Sequence, residues 1–288
     1  MTAAAGLMRA SLRGVELAYE VVGRGVPILL MHGGLGHDHT SFRPYLDPLA
    51  EVAELVFYDH RGHGRSSAVD EWEGIDHGTF ADDADALREH LGHERIVVLG
   101  HSYGGFLALE YALRHPERLA GLVLCSTAPA LDYARDLRRL VSASGVAATD
   151  EQLERAERFF SAPPESDDEY RREWRAVLPL YFADPAPRRL AQLDEAATYR
   201  AAPWRHAVRS LLPSYNVAGR LGSVTAPALV LGGRHDWVAP PTQAARLTAS
   251  LKHSELVFFE ESGHYPFVEQ TDEFVAVVRE WLERLPGA

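Results

Sequence analysis

The sequence predicts an α/β protein: a mostly parallel sheet of eight strands flanked by helices, with a helical segment inserted after the sixth strand. Three observations carry this. Short β-rich runs alternate with amphipathic helical stretches along the chain, the signature of a sheet covered by helices. The runs are continuously apolar rather than alternating, as expected where both faces of a sheet are covered. The length of 288 residues allows one large domain with an insertion, and a chain of that size buries roughly 75% of its unfolded surface without staples.

In order, Met8 to Val22 alternates and ends at Gly23-Arg24-Gly25, which fits an antiparallel hairpin at the sheet edge. Apolar runs follow at Pro27 to Met31, Leu55 to Tyr58, Arg95 to Leu99 and Leu119 to Cys125, then at Ala228 to Leu231 and Glu255 to Phe259. Helical spacing of apolar residues fills Phe80 to Leu91, Tyr103 to Arg114, Thr242 to Leu251 and Thr271 to Leu285. A threonine near the start of the first and of the last two serves as a natural N-cap. The stretch 131–215 differs: it is Arg- and Glu-rich, helical in pattern, broken by prolines and without a clear strand. It reads as a helical cap over the carboxyl edge of a core made of 1–130 and 216–288.

Composition excludes several classes. Hydrophobic residues make up 46% and charged residues 24% of the chain, which is globular and not disordered. The net charge of −12 repels phosphate backbones and anionic membranes, so neither nucleic acid nor membrane is an expected partner. No apolar run nears the ~18 residues needed to span a bilayer, and Met1 to Val22 lacks the apolar core of a secretory signal. A cytoplasmic protein is expected. The single cysteine, Cys125, lies in an apolar run and reads as a small buried hydrophobe. His37-Asp38-His39 and His60-x-x-His63 have no further ligand at a recognised metal spacing and read as polar loop residues. No metal or cofactor is expected.

The chemistry centres on Gly100-His101-Ser102-Tyr103-Gly104-Gly105. A Gly-x-Ser-x-Gly that follows an apolar strand and opens a helix is the setting of a nucleophile elbow. Its glycines let the helix approach the strand where a Cβ would clash. A serine hydroxyl needs a base, and of the 14 histidines His264 stands out because it follows the last strand and precedes the last helix. Loops at the carboxyl ends of α/β strands converge on one crevice, so His264 can meet Ser102 there. His101 should point away from the serine, and His32 reads as structural. Asp236 follows the preceding strand and is the carboxylate expected to orient His264, whereas Asp59 reads as a turn-former in a glycine-rich loop. The order Ser102, Asp236, His264 is that of one serine-hydrolase fold and of neither serine-protease fold. The two oxyanion donors expected are the backbone N–H groups of Tyr103 and of Gly34, in His32-Gly33-Gly34-Leu35-Gly36.

With these motifs in place, the chain resembles the α/β-hydrolase superfamily over nearly its whole length, and within it the proline iminopeptidase-like branch. That branch carries a His-Gly-Gly-Pro-Gly loop, an Asp-Gln-Arg-Gly-x-Gly-x-Ser loop and a Gly-x-Ser-x-Gly-Gly elbow. The counterparts here are His32 to Gly36, Asp59 to Ser66, and Gly100 to Gly105. The resemblance implies a cofactor-free serine hydrolase with a helical cap, acting on a small-molecule ester, lactone or amide. Leu35 stands in place of the family's proline and His60 in place of its glutamine, variants shared with esterase, lactonase and thioesterase relatives. Iminopeptidases hold a substrate amine with cap carboxylates, a role open to Asp167, Asp168, Glu169 and Glu173. The cap aromatics, Trp174 and Tyr181 among them, would line the substrate pocket. A perhydrolase, a C–C hydrolase and a non-catalytic receptor are the remaining readings on this fold.

Overall fold

A computed structural model describes residues 6–134 and 136–285. Those parts of the ranges 1–130, 131–215 and 216–288 that fall on residues 1–5, 135 and 286–288 lie outside the described residues. The hairpin is β1 (Met8–Leu12) and β2 (Val15–Gly23). The later strands are β3 (Val26–Met31), β4 (Ala53–Tyr58), β5 (Ile96–His101), β6 (Leu119–Cys125), β7 (Ala228–Gly233) and β8 (Ser254–Phe259). All eight join one sheet in the order β1-β2-β4-β3-β5-β6-β7-β8. β2 is antiparallel to both neighbours, with Met8 opposite Tyr19 and Tyr19 opposite Tyr58, and the remaining pairs are parallel. β5 is buried along its whole length and β6 everywhere but Ala120, which accounts for their uninterrupted apolar runs. This is the fold class the sequence predicts.

Strand order places the site. The chain steps from β3 outward to β4, then returns to β5 on the other side of β3. Loops leaving the carboxyl ends of β3 and β5 therefore diverge and open a crevice between them. Helices α1 (His77–His90) and α2 (Tyr103–Arg114) flank β5 in sequence. Between β6 and β7 come α3 (Leu137–Ser144), α4 (Asp150–Ser161), α5 (Asp167–Val177), α6 (Pro187–Ala196) and α7 (Ala201–His206), with a 3-10 turn at Leu178–Tyr181. A lone bridge between Ala130 and Asn216 closes the base of this excursion. The chain finishes with α8 (Pro241–Ser250), the single-turn α9 (Pro266–Glu269) and α10 (Thr271–Glu283).

The expected threonine caps are not used. α1 starts earlier, and its N-cap is Asp76, which accepts the Thr79 N–H at 2.8 Å while Thr79 closes a capping box from the third helical position. α8 begins on Pro240-Pro241 and α10 follows Gln270, neither with a side-chain cap. An aspartate one turn upstream and a proline with its preset φ are the start signals here.

Asp59 is more than a turn-former. It is fully buried at the end of β4. One oxygen accepts the His39 backbone N–H at 3.0 Å and its Nδ1–H at 2.6 Å, and the other accepts the Arg65 N–H at 2.8 Å. It thereby ties the loop after β3 to the loop after β4. Burial works against charge on both partners, but hydrogen bonds from His39 to Asp59 and Glu20 outweigh it and raise His39 to about 9. Burial likewise opposes the Asp59 carboxylate, but the His39 hydrogen bond and charge hold it well below the usual range.

Because His39 is raised above its ordinary 6.5, its contribution is complete below that value and disappears as pH climbs toward 9. The stability difference between wild type and His39→Gln, from urea unfolding, is expected to shrink by on the order of 3 kcal/mol between pH 6 and pH 9.5. A difference that stays constant over that range would show that His39 is not charged in the folded protein.

Candidate active site

Ser102 stands where β5 turns into α2, with φ 54° and ψ −120°. An L-residue is held in such a conformation only when its surroundings over-determine it, at a cost of about 1–3 kcal/mol. Here its N–H donates to the Cys125 carbonyl at 2.9 Å, and its own carbonyl accepts the Gly105 N–H at 2.9 Å and the Thr127 hydroxyl at 2.8 Å. The glycines on either side are dictated by backbone contact. A Cβ on Gly100 would strike the Gly104 carbonyl, and one on Gly104 would strike the carbonyl oxygen of Met31 in β3.

His264 lies in the loop between β8 and α9, and Asp236 in the loop between β7 and α8. Both are buried. One Asp236 oxygen accepts the N–H groups of Val238 and Ala239 at 2.8 and 2.9 Å, and the other meets His264 Nδ1 at 2.8 Å. A carboxylate can only accept, so Nδ1 carries a proton, and in the neutral imidazole Nε2 is then the acceptor. Nε2 is buried and makes no hydrogen bond among the described residues. The main chain of His264 is gripped at both ends: its N–H donates to the Tyr181 carbonyl at 2.7 Å, and its carbonyl accepts from His101 Nε2 at 2.8 Å. His101 thus points away from the Ser102 side chain, as expected, and supports the other histidine from behind. Burial pushes the His101 imidazole well below its ordinary value, so it is neutral there.

The loop after β3 lies against the elbow: a Cβ on Gly33 would come within 2.9 Å of the Ser102 Cβ. Gly34 follows with φ +52°. The helical segment reaches down onto this loop, with Tyr170 donating its hydroxyl to the Leu35 carbonyl at 3.1 Å and Arg200 its N–H to the Gly36 carbonyl at 2.8 Å. The His37 ring packs over Gly34 and edge-on to Tyr170, Trp174 and Tyr199. Burial lowers it to about 3, so it stays neutral.

A cavity of about 630 Å³ joins these parts. Ser102, His264, Gly34 and Tyr103 all line it, and so do Trp174 and Tyr181. Most of the remaining wall is aromatic or aliphatic, with Phe106, Phe159, Phe160, Trp204, Trp237 and Tyr265 among it. Glu169 and Glu173 are not on that wall. The inward face of α5 is Tyr170, Trp174 and Val177, and residues one position before the first two fall on its flank. Glu169 there accepts the Glu165 N–H at 2.9 Å, and Glu173 pairs with Arg155 at 3.3 Å and Arg172 at 3.4 Å. Asp167 is also engaged, accepting the Ala201 N–H at 2.8 Å. The carboxylates on the wall are Asp136, which caps α3 through the Arg139 N–H at 3.0 Å, and Glu157, which pairs with Arg138 at 2.9 Å. Sequence reasoning misses these two, together with His37, Trp237 and Tyr265. Adjacency in the chain could have marked three of them: Tyr265 beside His264, Trp237 beside Asp236 and His37 beside Gly36.

Elsewhere, His32, His60 and His63 form a buried cluster with ring centres 4.0 to 5.6 Å apart. Among the described residues no three or more His, Cys, Asp or Glu side chains are gathered to hold a metal ion. Cys125 is buried, and burial pushes its thiol up. No helix among the described residues is long and apolar enough to cross a membrane.

Residues 26–271 match the family described as alpha/beta hydrolase fold. The chain is 31% identical over 285 residues to a proline iminopeptidase of Lactobacillus crispatus, covering 94% of this chain and 96% of that protein. It is 29% identical over 286 residues to a proline iminopeptidase of Saccharolobus solfataricus, covering 93% of this chain and 88% of that protein. Among solved structures it is similar to a thermophilic esterase from Thermogutta terrifontis, with a TM-score of 0.74 and 26% identity, over 97% of this chain and 99% of that one.

The elbow contacts make a sharp expectation. Gly104→Ala forces a side chain against backbone and should lose ~3 kcal/mol or more in urea unfolding. Gly219→Ala, where a Cβ meets nothing within 4 Å, should stay within about 0.5 kcal/mol of wild type. Equal stability of the two variants would contradict the close approach of α2 to β3.

Proposed function

This chain belongs to the α/β-hydrolase fold family and to its proline iminopeptidase-like branch, and from that premise we propose that it cleaves an ester or amide bearing a bulky apolar group through an acyl-enzyme on Ser102. The observation that carries the proposal is the 2.8 Å contact of His264 Nδ1 with Asp236, on an imidazole whose other nitrogen stays unpaired and which lines the same cavity as Ser102.

In this reading Ser102 Oγ attacks the substrate carbonyl carbon while His264 Nε2 takes the hydroxyl proton. Asp236 stays ionised and stabilises the imidazolium. The oxyanion accepts the N–H groups of Tyr103 and Gly34, each such donor supplying ~3 kcal/mol to the transition state. His264 then protonates the leaving group, and a water molecule, activated by the same imidazole, releases the acid. No cofactor enters. The segment 131–215 acts as a cap on the core of 1–130 and 216–288, and its aromatic residues, Trp174 and Tyr181 included, favour an apolar substrate. The protein would work in the cytoplasm on a small molecule.

A second reading, release of an N-terminal proline, draws on the relatives' activity and on Asp136 and Glu157 at the cavity wall, where a carboxylate could meet a substrate amine. Because both carboxylates are already engaged, the apolar ester is preferred.

The test pairs wild type with Ser102→Ala on p-nitrophenyl butyrate and on proline p-nitroanilide. The variant should lose ~10⁴-fold or more in kcat, with the ester turned over faster than the proline amide. Faster cleavage of the amide would transfer the proposal to the second reading. Equal activity of the two proteins would remove Ser102 from the chemistry.

A further inference from the structure

The single turn α9 begins two residues after His264 and ends at Glu269. The Glu269 carboxylate is turned inward and joins two segments of the chain. One oxygen accepts the Gly263 N–H at 2.7 Å, next to His264 in the backbone. The other accepts the N–H groups of Ala183 at 2.8 Å and Asp184 at 3.3 Å, just past the 3-10 turn that carries Tyr181. The two segments are in close contact. A Cβ on Gly263 would lie 2.6 Å from the Tyr181 carbonyl oxygen and 2.9 Å from the Ala183 nitrogen, and His264 donates to that same carbonyl. The carboxylate thus adds a second tie to the seam already joined by the His264–Tyr181 hydrogen bond.

We propose that Glu269 is a positioning residue: its carboxylate clamps the His264 loop to the Tyr181 segment, so that the imidazole and the adjoining cavity wall are held as one unit. The role in hydrolysis rests on the function proposed above, but the clamp itself does not.

The clamp requires an ionised carboxylate. All three partners are N–H donors, and a protonated carboxyl would set its own O–H against one of them. The charged groups facing it are Asp184 and Arg189 of the helical segment. His264 follows Gly263 in its own loop, with Asp236 and His101 as its partners, and Glu261 and Glu273 are held by the adjacent Gln270. Burial is the largest influence on Glu269 and raises it to about 7, against the opposing pull of the Gly263, Asp184 and Ala183 N–H groups and of the Arg189 charge. The clamp is therefore closed above that value and opens as pH falls through it.

The experiment follows the Gly263 and Ala183 amide protons and the His264 Cε1–H by NMR from pH 5 to 9, in wild type and in Glu269→Gln. In wild type all three resonances should share an inflection near pH 7, and in the variant that inflection should vanish from each. Alongside, the acid limb of kcat/KM for p-nitrophenyl butyrate should fall with two protons in wild type and with one in Glu269→Gln, whose plateau should lie ~10-fold or more lower. Amide protons that do not titrate in wild type would overturn the clamp. Amides that titrate without any response at His264 would reduce it to a structural tie and overturn the positioning role. A protein without esterase activity would sink the proposed function, while the NMR titration would still decide the clamp. If Glu269→Gln does not fold, the wild-type Glu269 Cδ resonance decides: an inflection shared with the Gly263 and Ala183 amides supports the clamp, and one at a different pH overturns it.

Discussion

The arrangement depends first on how closely α2 can lie against β3 and β5. With hydrogen at position 104, the first turn of the helix rests on the Met31 carbonyl, and Gly100 gives the same clearance within the elbow. That approach forces Ser102 into its unfavourable backbone conformation, and the Cys125, Gly105 and Thr127 hydrogen bonds keep it there. It also brings the loop after β3 against the serine, so that Gly33 and Gly34 flank it without side chains of their own. The elbow and the glycine loop beside it are thus consequences of one packing constraint. They stand at the point where strand order reverses between β3 and β5, which is where an open α/β sheet leaves room for a ligand.

Electrostatics then separates the histidines by role. His32, His37, His60, His63 and His101 are all buried without a carboxylate hydrogen-bonded to the ring, and burial keeps each neutral. They act as polar spacers within aromatic packing. His39 has the opposite setting, pressed between Asp59 and Glu20, and is held charged to bind two loops together. His264 differs from both. It has a carboxylate at Nδ1 and, among the described residues, no hydrogen-bond partner at Nε2. Residue type alone does not separate these cases, because an imidazole follows its neighbours.

That distinction also marks how far the sequence can be read. The six strands β3 to β8 are legible as apolar runs because parallel strands covered on both faces are apolar, the β1–β2 hairpin by its alternation, and the elbow because glycine is compulsory where backbones touch. That Ser102, Asp236 and His264 come to one edge of the sheet is legible because each follows the end of a strand, while the roles given to them stay with the proposal. Helix starts mislead where an aspartate or a proline outranks a threonine, as at Asp76 and Pro240. Asp59 misleads because a polar, glycine-rich loop resembles a turn, and its charged partner, His39, lies twenty positions away. Glu169 and Glu173 are misplaced because helical periodicity tells which residues share a face but not which face turns inward. Here Tyr170 and Trp174 claim the inner face, and Glu173 is left to Arg155 and Arg172.

The helical segment is the least legible part, and its contacts explain why. Beside the Glu269 contacts, hydrogen bonds from distant residues join it to the core, and four of them bear on the site: Tyr170 to the Leu35 carbonyl, Arg200 to the Gly36 carbonyl, Thr198 to Asp38, and the Tyr181 carbonyl to the His264 N–H. Three of the four reach the loop beside the serine, and the fourth reaches the histidine. No motif spacing encodes such contacts, since each pairs a backbone group with whatever side chain or peptide the segment happens to bring. Their effect is that the segment holds the loops beside Ser102 and His264, in part through the wall residues Tyr170 and Tyr181. The Arg200, Thr198 and Tyr181 bonds use main-chain groups, so among these ties only the one from Tyr170 is lost with its side chain. Phe160 makes none of these hydrogen bonds, whereas Trp204 packs against Tyr170 with ring centres 6.4 Å apart. Phe160 is therefore a position where the cavity wall can change without loosening the ties to the loops beneath.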